Sequence, residues 1–156
     1  MTALETELRA ALVADAGVNA ILGNRLYWPS LPQQPVYPAA IFRRVSTQPV
    51  KTHGTSTGGI PLPGTGWCRI SFTIWSDLSP TQTRGGFTGA AEELNGIVQA
   101  LSAALNHIDL SATPESPVTT VRAPNFFLGL RDGVESNVQP PIPVNYFDVG
   151  VWFSDQ

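Results

Sequence analysis

The stretch from Lys51 to Trp67, KTHGTSTGGIPLPGTGW, holds the residue types that could do chemistry in this chain. It combines glycines, hydroxyls and one imidazole, and His53 could in principle activate Ser56 or Ser46 as a nucleophile. Its glycines also suit a loop that cradles a phosphate. Two kinds of site, a nucleophilic centre and a phosphate loop, therefore have to be weighed.

Neither kind of site has the sequence context that it requires. A Walker loop needs a lysine after its glycines and a helix directly afterwards, and a dinucleotide fingerprint lies between a strand and a helix. Here no lysine follows the glycines, and the next segment alternates like a strand. A flexible loop also gives poor support to a catalytic residue. We therefore predict no catalytic residue, and an enzyme or small-molecule binding domain that uses the His53 loop stays an alternative.

The sequence offers no ligand set for a metal or cofactor. Cys68, His53 and His107 are scattered without the spacing of a zinc site. A single cysteine cannot form an intrachain disulfide, so the chain is not built around an oxidising compartment. The first residues lack the basic leader and apolar core of a signal peptide, and no apolar run approaches the roughly 18 residues of a membrane span. We expect no metal, no cofactor and no membrane partner.

The charges are few and unevenly distributed. The 156 residues, of which only 13% are charged, fit one domain over 1–156. No acidic residue lies between Asp15 and Asp77, whereas acidic residues outnumber basic ones after Arg84. The basic side of one copy could therefore meet the acidic side of another. The alternative is that both signs mix on a solvated surface, and the net charge of −3 argues against a nucleic-acid binder.

Apolar periodicity predicts the elements that would position these residues. We expect helices at 2–17 and 90–107, a short helical turn at 18–28, and strands at 39–46, 67–76, 118–130 and 144–154. The core stripe of the long helix would be Ala90, Leu94, Ile97, Leu101, Ala104 and Leu105. The proline-rich segments 28–38 and 131–143 read as a surface arm and a loop.

This order predicts an α+β fold, an antiparallel four-stranded sheet with helices packed on one face. The first two strands would form a hairpin with a long loop at 47–66, which we expect to be mobile in a free subunit and to order against a neighbour. The buried face would carry the rows Ile70, Phe72, Ile74 and Val149, Val151, Phe153, with Trp75 and Trp152 on the second face.

The order of motifs resembles the family of bacteriophage tail-completion, or tail-terminator, proteins. ALETELRAALVADAGVNAILGNRLYW is similar to the family's opening helix and turn, and PAAIFRRVS to its first strand. ISFTIWSDLS followed by AAEELNGIVQALSAAL resembles its central strand and long helix, and YFDVGVWFS its last strand. The long loop at 47–66 and the segment RDGVESNVQPPIP depart from that pattern.

The resemblance implies a structural virion protein at the neck of a long-tailed phage, assembled in the host cytoplasm. Such proteins form a ring, usually of six subunits, which caps the tail tube and joins it to the head-side connector. The implied partners are other copies of the chain, the tail-tube protein and the connector, with genomic DNA passing through the lumen without specific binding. No catalytic residues come with the family. Another neck component, a head–tail connector or stopper, is the alternative.

Charged and polar residues at predicted edges and loops are the candidate contacts with other subunits or the tube. Arg43 and Arg44 point to opposite faces of a strand by the period-2 rule. The full set comprises Arg43, Arg44, Lys51, His53, Thr55, Arg69, Asp132 and Glu135.

Overall fold

The computed structural model of the protein describes residues 3–49, 65–108, 118–119, 126–137 and 140–155. The described elements are α1 (Ala3–Ala14), α2 (Ala16–Leu22), β1 (Leu26–Tyr27), β2 (Ala39–Pro49), β3 (Thr65–Trp75), β4 (Thr83–Arg84), β5 (Phe87–Thr88), α3 (Gly89–His107), β6 (Val118–Thr119), β7 (Phe126–Glu135) and β8 (Ile142–Asp155). The long elements follow the predicted order of helix, two strands, helix and two strands.

In the part of the chain that the structure describes, the main sheet is mixed and has six strands, which corrects the prediction of four antiparallel ones. The long strands β2, β3, β8 and β7 are antiparallel neighbours in that order, and the predicted hairpin of β2 and β3 is confirmed. The short β1 pairs with β2 in parallel. Because β3 occupies one side of β8, β6 and β7 share its other side. Two-residue strands are too short to show an alternating pattern, so the sequence hid β1 and β6.

The core lies between the helices and one face of the sheet, as predicted. Phe42, Phe72 and Phe147 stand opposite one another on β2, β3 and β8, and their ring centroids are 6.0 Å and 5.5 Å apart. All three are fully buried. The predicted α3 stripe and the rows through Ile70 and Val149 are buried around them. This ladder of rings holds the three central strands together and gives the helices their packing surface.

The first two helices cover the end of this core nearest β1 and β2. Leu4, Leu8 and Leu12 recur every four residues, so they form one buried stripe of α1. The Asp15 carboxylate caps α2 by accepting the Val18 amide at 3.0 Å. At the other end of α2, the Arg25 guanidinium donates to the Leu22 and Ile21 carbonyls. Local capping thus fixes the corner from which the chain enters the sheet.

The second face of the sheet carries a smaller apolar cluster under the proline-rich arm. Its buried members are Ile41, Trp75, Ile142 and Val144, and Tyr27, Leu31 and Tyr37 pack against them. The predicted place of Trp75 on this face is confirmed. The side chains of Trp152 and Phe153 lie outside the described residues.

The third long strand differs from its prediction. The expected strand at 118–130 and loop at 131–143 are replaced by the short β6 and by β7, which extends to Glu135. The segment Arg131–Glu135 pairs with Tyr146–Ile142 of β8, so the neighbouring strand holds it in the sheet despite its glycine. Among the described residues, no helix is long and apolar enough to cross a membrane.

Candidate functional site

The loop that suggested chemistry lies largely outside the described residues. This applies to the candidate contacts Lys51, His53 and Thr55, and to Ser56. Within the described ranges, no group of three or more histidine, cysteine or acidic side chains is placed to hold a metal ion. The remaining candidate residues, which are charged, lie on the sheet.

Arg43 and Arg44 point to opposite faces of β2, as predicted. Arg44 lies on the helix side, where its Nε is 3.0 Å from the Glu5 carboxylate, which is buried. Arg43 lies on the other side, is exposed, and donates from its Nε to the Pro29 carbonyl at 2.8 Å. Arg44 therefore fastens α1 to the sheet, and Arg43 presents positive charge to the surface.

Arg69 has a partner within its own subunit. It lies on β3 beside Asp148 of β8, and its guanidinium donates to that carboxylate on the outer face of the sheet. Burial alone would raise the pKa of Asp148, but the Ser71 hydroxyl and the Arg69 guanidinium outweigh it and hold that pKa below its ordinary value. The prediction that Arg69 contacts another chain is untested, while its cross-strand pair with Asp148 stabilises the sheet.

Asp132 and Glu135 lie on opposite faces of β7. Asp132 is exposed on the helix side, where the Asn145 amide, oriented to donate, reaches its Oδ1 at 3.0 Å. Glu135 accepts from the Asn137 side chain at 3.0 Å on the turn that follows β7. On the outer face, Arg131 stacks over the Tyr146 ring at 5.5 Å.

The sheet order places the exposed candidates Arg43 and Asp132 on its two opposite edges. β2 carries Arg43 near one edge, and β7 carries Asp132, together with the partly buried Glu135, at the other. Each edge also exposes apolar side chains that the sequence reasoning missed: Val45 on β2, and Leu130 and Val134 on β7. The available signal was the placement of Leu130, Asp132 and Val134 at every second position, which is typical of one face of a strand. The assignment of residues 131–143 to a loop concealed it.

A groove runs between α3 and β7 on the helix side. Its volume is about 270 Å³. Ala91 and Asn95 belong to its α3 wall, Asp132 and Gly133 to its β7 wall, and Asn145 lies between them. The exposed Asp132 carboxylate lies in the β7 wall of this groove, across from α3.

A second charged cluster is centred on a buried carboxylate, that of Glu93. The Glu93 side chain, on α3, is 1% exposed and accepts two hydrogen bonds from the Arg84 guanidinium at 2.7 Å and one from the Ser76 hydroxyl. Arg84 also pairs with Asp77 at 3.0 Å. Burial would raise the pKa of Glu93, but Arg84 and Ser76 outweigh it and lower that pKa. The cluster clamps the end of β3 and the β4–β5 hairpin to α3.

A second cleft, larger than the groove between α3 and β7, is apolar and has no catalytic arrangement among its described residues. Its volume is about 610 Å³, and its walls include Tyr37, Leu78, Ile142 and several prolines. Its one acidic residue, Asp77, is paired with Arg84. Burial, together with Asp77 and Glu135, raises the pKa of the Tyr37 hydroxyl, so it stays protonated. The described lining of the cleft therefore offers packing surface, and none of its described side chains is a poised acid or nucleophile.

Comparisons with known proteins identify the family and the fold of the chain. Residues 6–113 match the family described as "Tail completion protein gp17". Among solved structures, a chain of the "Virion of native gene transfer agent (GTA) particle" aligns over 97% of this chain and 94% of that chain, with 16% sequence identity and a TM-score of 0.61. That likeness shows a shared fold. No curated protein sequence matches the chain.

The family match covers well over half of the chain, including both amino-terminal helices, β2, β3 and α3. It confirms the resemblance drawn from the order of motifs. The chain belongs to the family of tail completion protein gp17, a family of structural proteins of the phage tail.

Proposed function

We propose that the protein is a tail terminator. Copies of the chain form a ring, of six subunits in the arrangement that the resemblance implies, which caps the tail tube and joins it to the head-side connector. Membership of the tail completion family is the observation that carries this proposal. A tail terminator must contact copies of itself and neighbouring proteins, and it needs no catalysis. Membership of a family of structural tail proteins favours such a role.

The surface of the subunit supports a ring. A closed ring needs a heterologous contact, in which one surface of each subunit meets a different surface of the next. The exposed basic residue Arg43 and the exposed acidic residue Asp132 lie toward opposite edges of one sheet. A sparsely charged chain, with 13% charged residues, also suits a subunit that is packed against others.

The partners follow from this position at the neck of the virion. They are other copies of the chain, the tail-tube protein below and the connector or stopper above, with assembly in the host cytoplasm. Genomic DNA would pass through the lumen without specific binding. The net charge of −3 supports free passage, because cationic linings bind phosphates strongly at moderate salt.

The test combines the purified protein with tail tubes assembled from the tail-tube protein. We expect native mass spectrometry to detect a closed oligomer, and negative-stain images to show it at one end of tubes that have stopped growing. A strictly monomeric protein that never associates with tubes contradicts the proposal. Binding to portal-side proteins instead of tubes would identify a connector or stopper.

The alternative chemical role of the His53 loop is tested in the same assay. We expect His53→Ala and Ser56→Ala to remove no turnover and no ligand affinity, because a terminator has neither. A change in tube capping in His53→Ala alone would instead reflect its candidate contact with a neighbouring subunit or the tube. A ligand affinity or a turnover that is lost in both variants, with capping intact, would favour a binding domain or an enzyme.

A further inference from the structure

The helix-side face of β7 is an uncovered surface. This face carries Leu130, Asp132 and Val134, at every second position of the strand. They stand opposite Phe147, Asn145 and Pro143 of β8. The two apolar side chains are 40% and 61% exposed. We call these three residues the β7 patch. Apolar side chains on a sheet edge favour association unless another element protects them.

The other edge of the sheet, at β2, also exposes an apolar and a charged side chain, on a smaller surface. β2 contains a bulge between Arg44 and Ser46, and Val45, at the bulge, has no partner on β3 and is 54% exposed. Arg43, two residues earlier, is exposed and basic. We call Arg43 and Val45 the β2 patch. A bulge turns an edge residue out of the regular alternation, which here directs an apolar side chain to the surface.

Most of the exposed large hydrophobic side chains lie in the two patches. Among the described residues, the large hydrophobic side chains that are exposed are Val36, Val45, Leu130 and Val134. Three of these four lie in the two patches, which stand on opposite edges of one sheet. One patch is acidic and apolar, and the other is basic and apolar, so the two are complementary in charge.

We infer that the β7 patch of one subunit binds the β2 patch of the next copy. Asp132 receives Arg43 of that copy, and Leu130 and Val134 cover its Val45. Because the patches lie on opposite edges, each subunit can use both at once, and repetition of the contact closes a ring. This inference rests on the proposed function for the ring itself, and adds the surfaces that join its subunits.

Charge reversal tests the contact. Arg43→Glu or Asp132→Lys alone places like charges together, and we expect at least about a tenfold rise in the subunit concentration needed for assembly on tubes. The double variant restores the pair with its signs exchanged and should recover most of the loss. A mixture of the two single variants should also assemble, because each interface then contains one acidic and one basic residue.

A second pair of variants tests the apolar part with a matched control. Val134→Glu, at a position 61% exposed in the free subunit, should weaken assembly by about tenfold or more because it buries a charge. Val36→Glu, at a position 64% exposed on the arm, makes the same chemical change outside both patches and should leave assembly unchanged. Sedimentation velocity of mixtures with tail tubes gives both values.

The outcomes separate this inference from the proposed function. If the unaltered protein caps tubes while all of these variants cap them equally well, the ring stands and the assigned surfaces are wrong. Single variants that fail without rescue in the double variant also contradict the pairing. If the unaltered protein forms no ring on tubes, the proposed function fails and the inference fails with it.

Discussion

The clamp around Glu93 and the β7 patch use charge in opposite ways. Glu93 is almost completely buried, and its two carboxylate oxygens are bound by Arg84 and Ser76 of the same subunit. Asp132 is exposed in the wall of a groove, between two exposed apolar side chains on the same face of β7. Glu93 is part of α3 and Asp132 lies across a groove from the same helix, but only Glu93 is enclosed by its own chain.

The difference separates residues that fold the subunit from residues that are available for assembly. A buried carboxylate must have its partners within the subunit, since an unpaired buried charge is strongly destabilising. An exposed carboxylate with apolar neighbours contributes little to folding and can still pair across an interface. We therefore expect changes near Glu93 to lower the free energy of unfolding, and changes in the β7 patch to alter assembly alone.

The largest effect on folding is expected at the centre of the aromatic ladder. Phe72→Ala removes a fully buried ring between Phe42 and Phe147 and should lower the free energy of unfolding by about 3–5 kcal/mol. Urea unfolding of the dilute subunit measures this loss. Phe87→Ala, at a half-buried ring on the β4–β5 hairpin, is the control with a smaller expected loss. Equal losses at the two positions would contradict the assigned core.

The next largest effect on folding is expected at the clamp around Glu93. Glu93→Gln keeps the shape of the side chain but removes the charge that binds Arg84, and should lower the free energy of unfolding by about 2–3 kcal/mol. Glu92→Gln changes the neighbouring exposed carboxylate, which accepts from the Thr88 amide, and should cost less than about 1 kcal/mol. Similar urea midpoints for the two variants would show that the clamp does not hold α3 in place.

Acid should weaken the subunit through the enclosed carboxylates. The pKa values of Glu93 and Asp148 are lower in the folded protein than their ordinary values of 4.5 and 3.8. Their contribution to stability is therefore complete above those ordinary values and is lost as the pH falls through the lowered ones. Urea midpoints should decline below about pH 4.5, and less steeply in Glu93→Gln. Identical slopes in the two proteins would exclude Glu93 as a source of the decline.

The smallest effect on folding, and the clearest effect on assembly, is expected at the β7 patch. Leu130→Ser should change the free energy of unfolding by no more than about 0.5–1 kcal/mol, because the side chain is already 40% exposed. The same variant should cap tubes less well. Val36→Ser, measured beside it by urea unfolding and by tube capping, should affect neither. A Leu130→Ser protein that unfolds early and still caps tubes would reverse the proposed division of roles.

The sequence alone was enough to predict the features that follow from local periodicity. Apolar spacing predicted the buried stripe of α3, and alternation from Ile70 to Ile74 predicted the inner face of β3. The same rule placed Arg43 and Arg44 on opposite faces. These features depend only on the helical and strand periods, so a single sequence carries them.

Other features depend on residues that are distant in the chain. Asp148 lies 79 positions after Arg69, and only the register of β3 with β8 brings the two together. The burial of Glu93 depends on how α3 approaches Ser76 and Arg84, which the local sequence around Glu93 does not record. The carboxyl-terminal part of β7 contains a glycine and is held by pairing with β8, which local propensity does not record.

Disulfide cross-linking between the two patches tests the central claim, that opposite edges of the sheet meet between copies. The only native cysteine, Cys68, is buried, so introduced surface cysteines are the reactive ones. A Val45→Cys and Leu130→Cys double variant, oxidised after assembly on tail tubes, should give a ladder of covalent oligomers that ends at the size of the ring. A ladder no stronger than that of a Val36→Cys and Leu130→Cys control would contradict the claim.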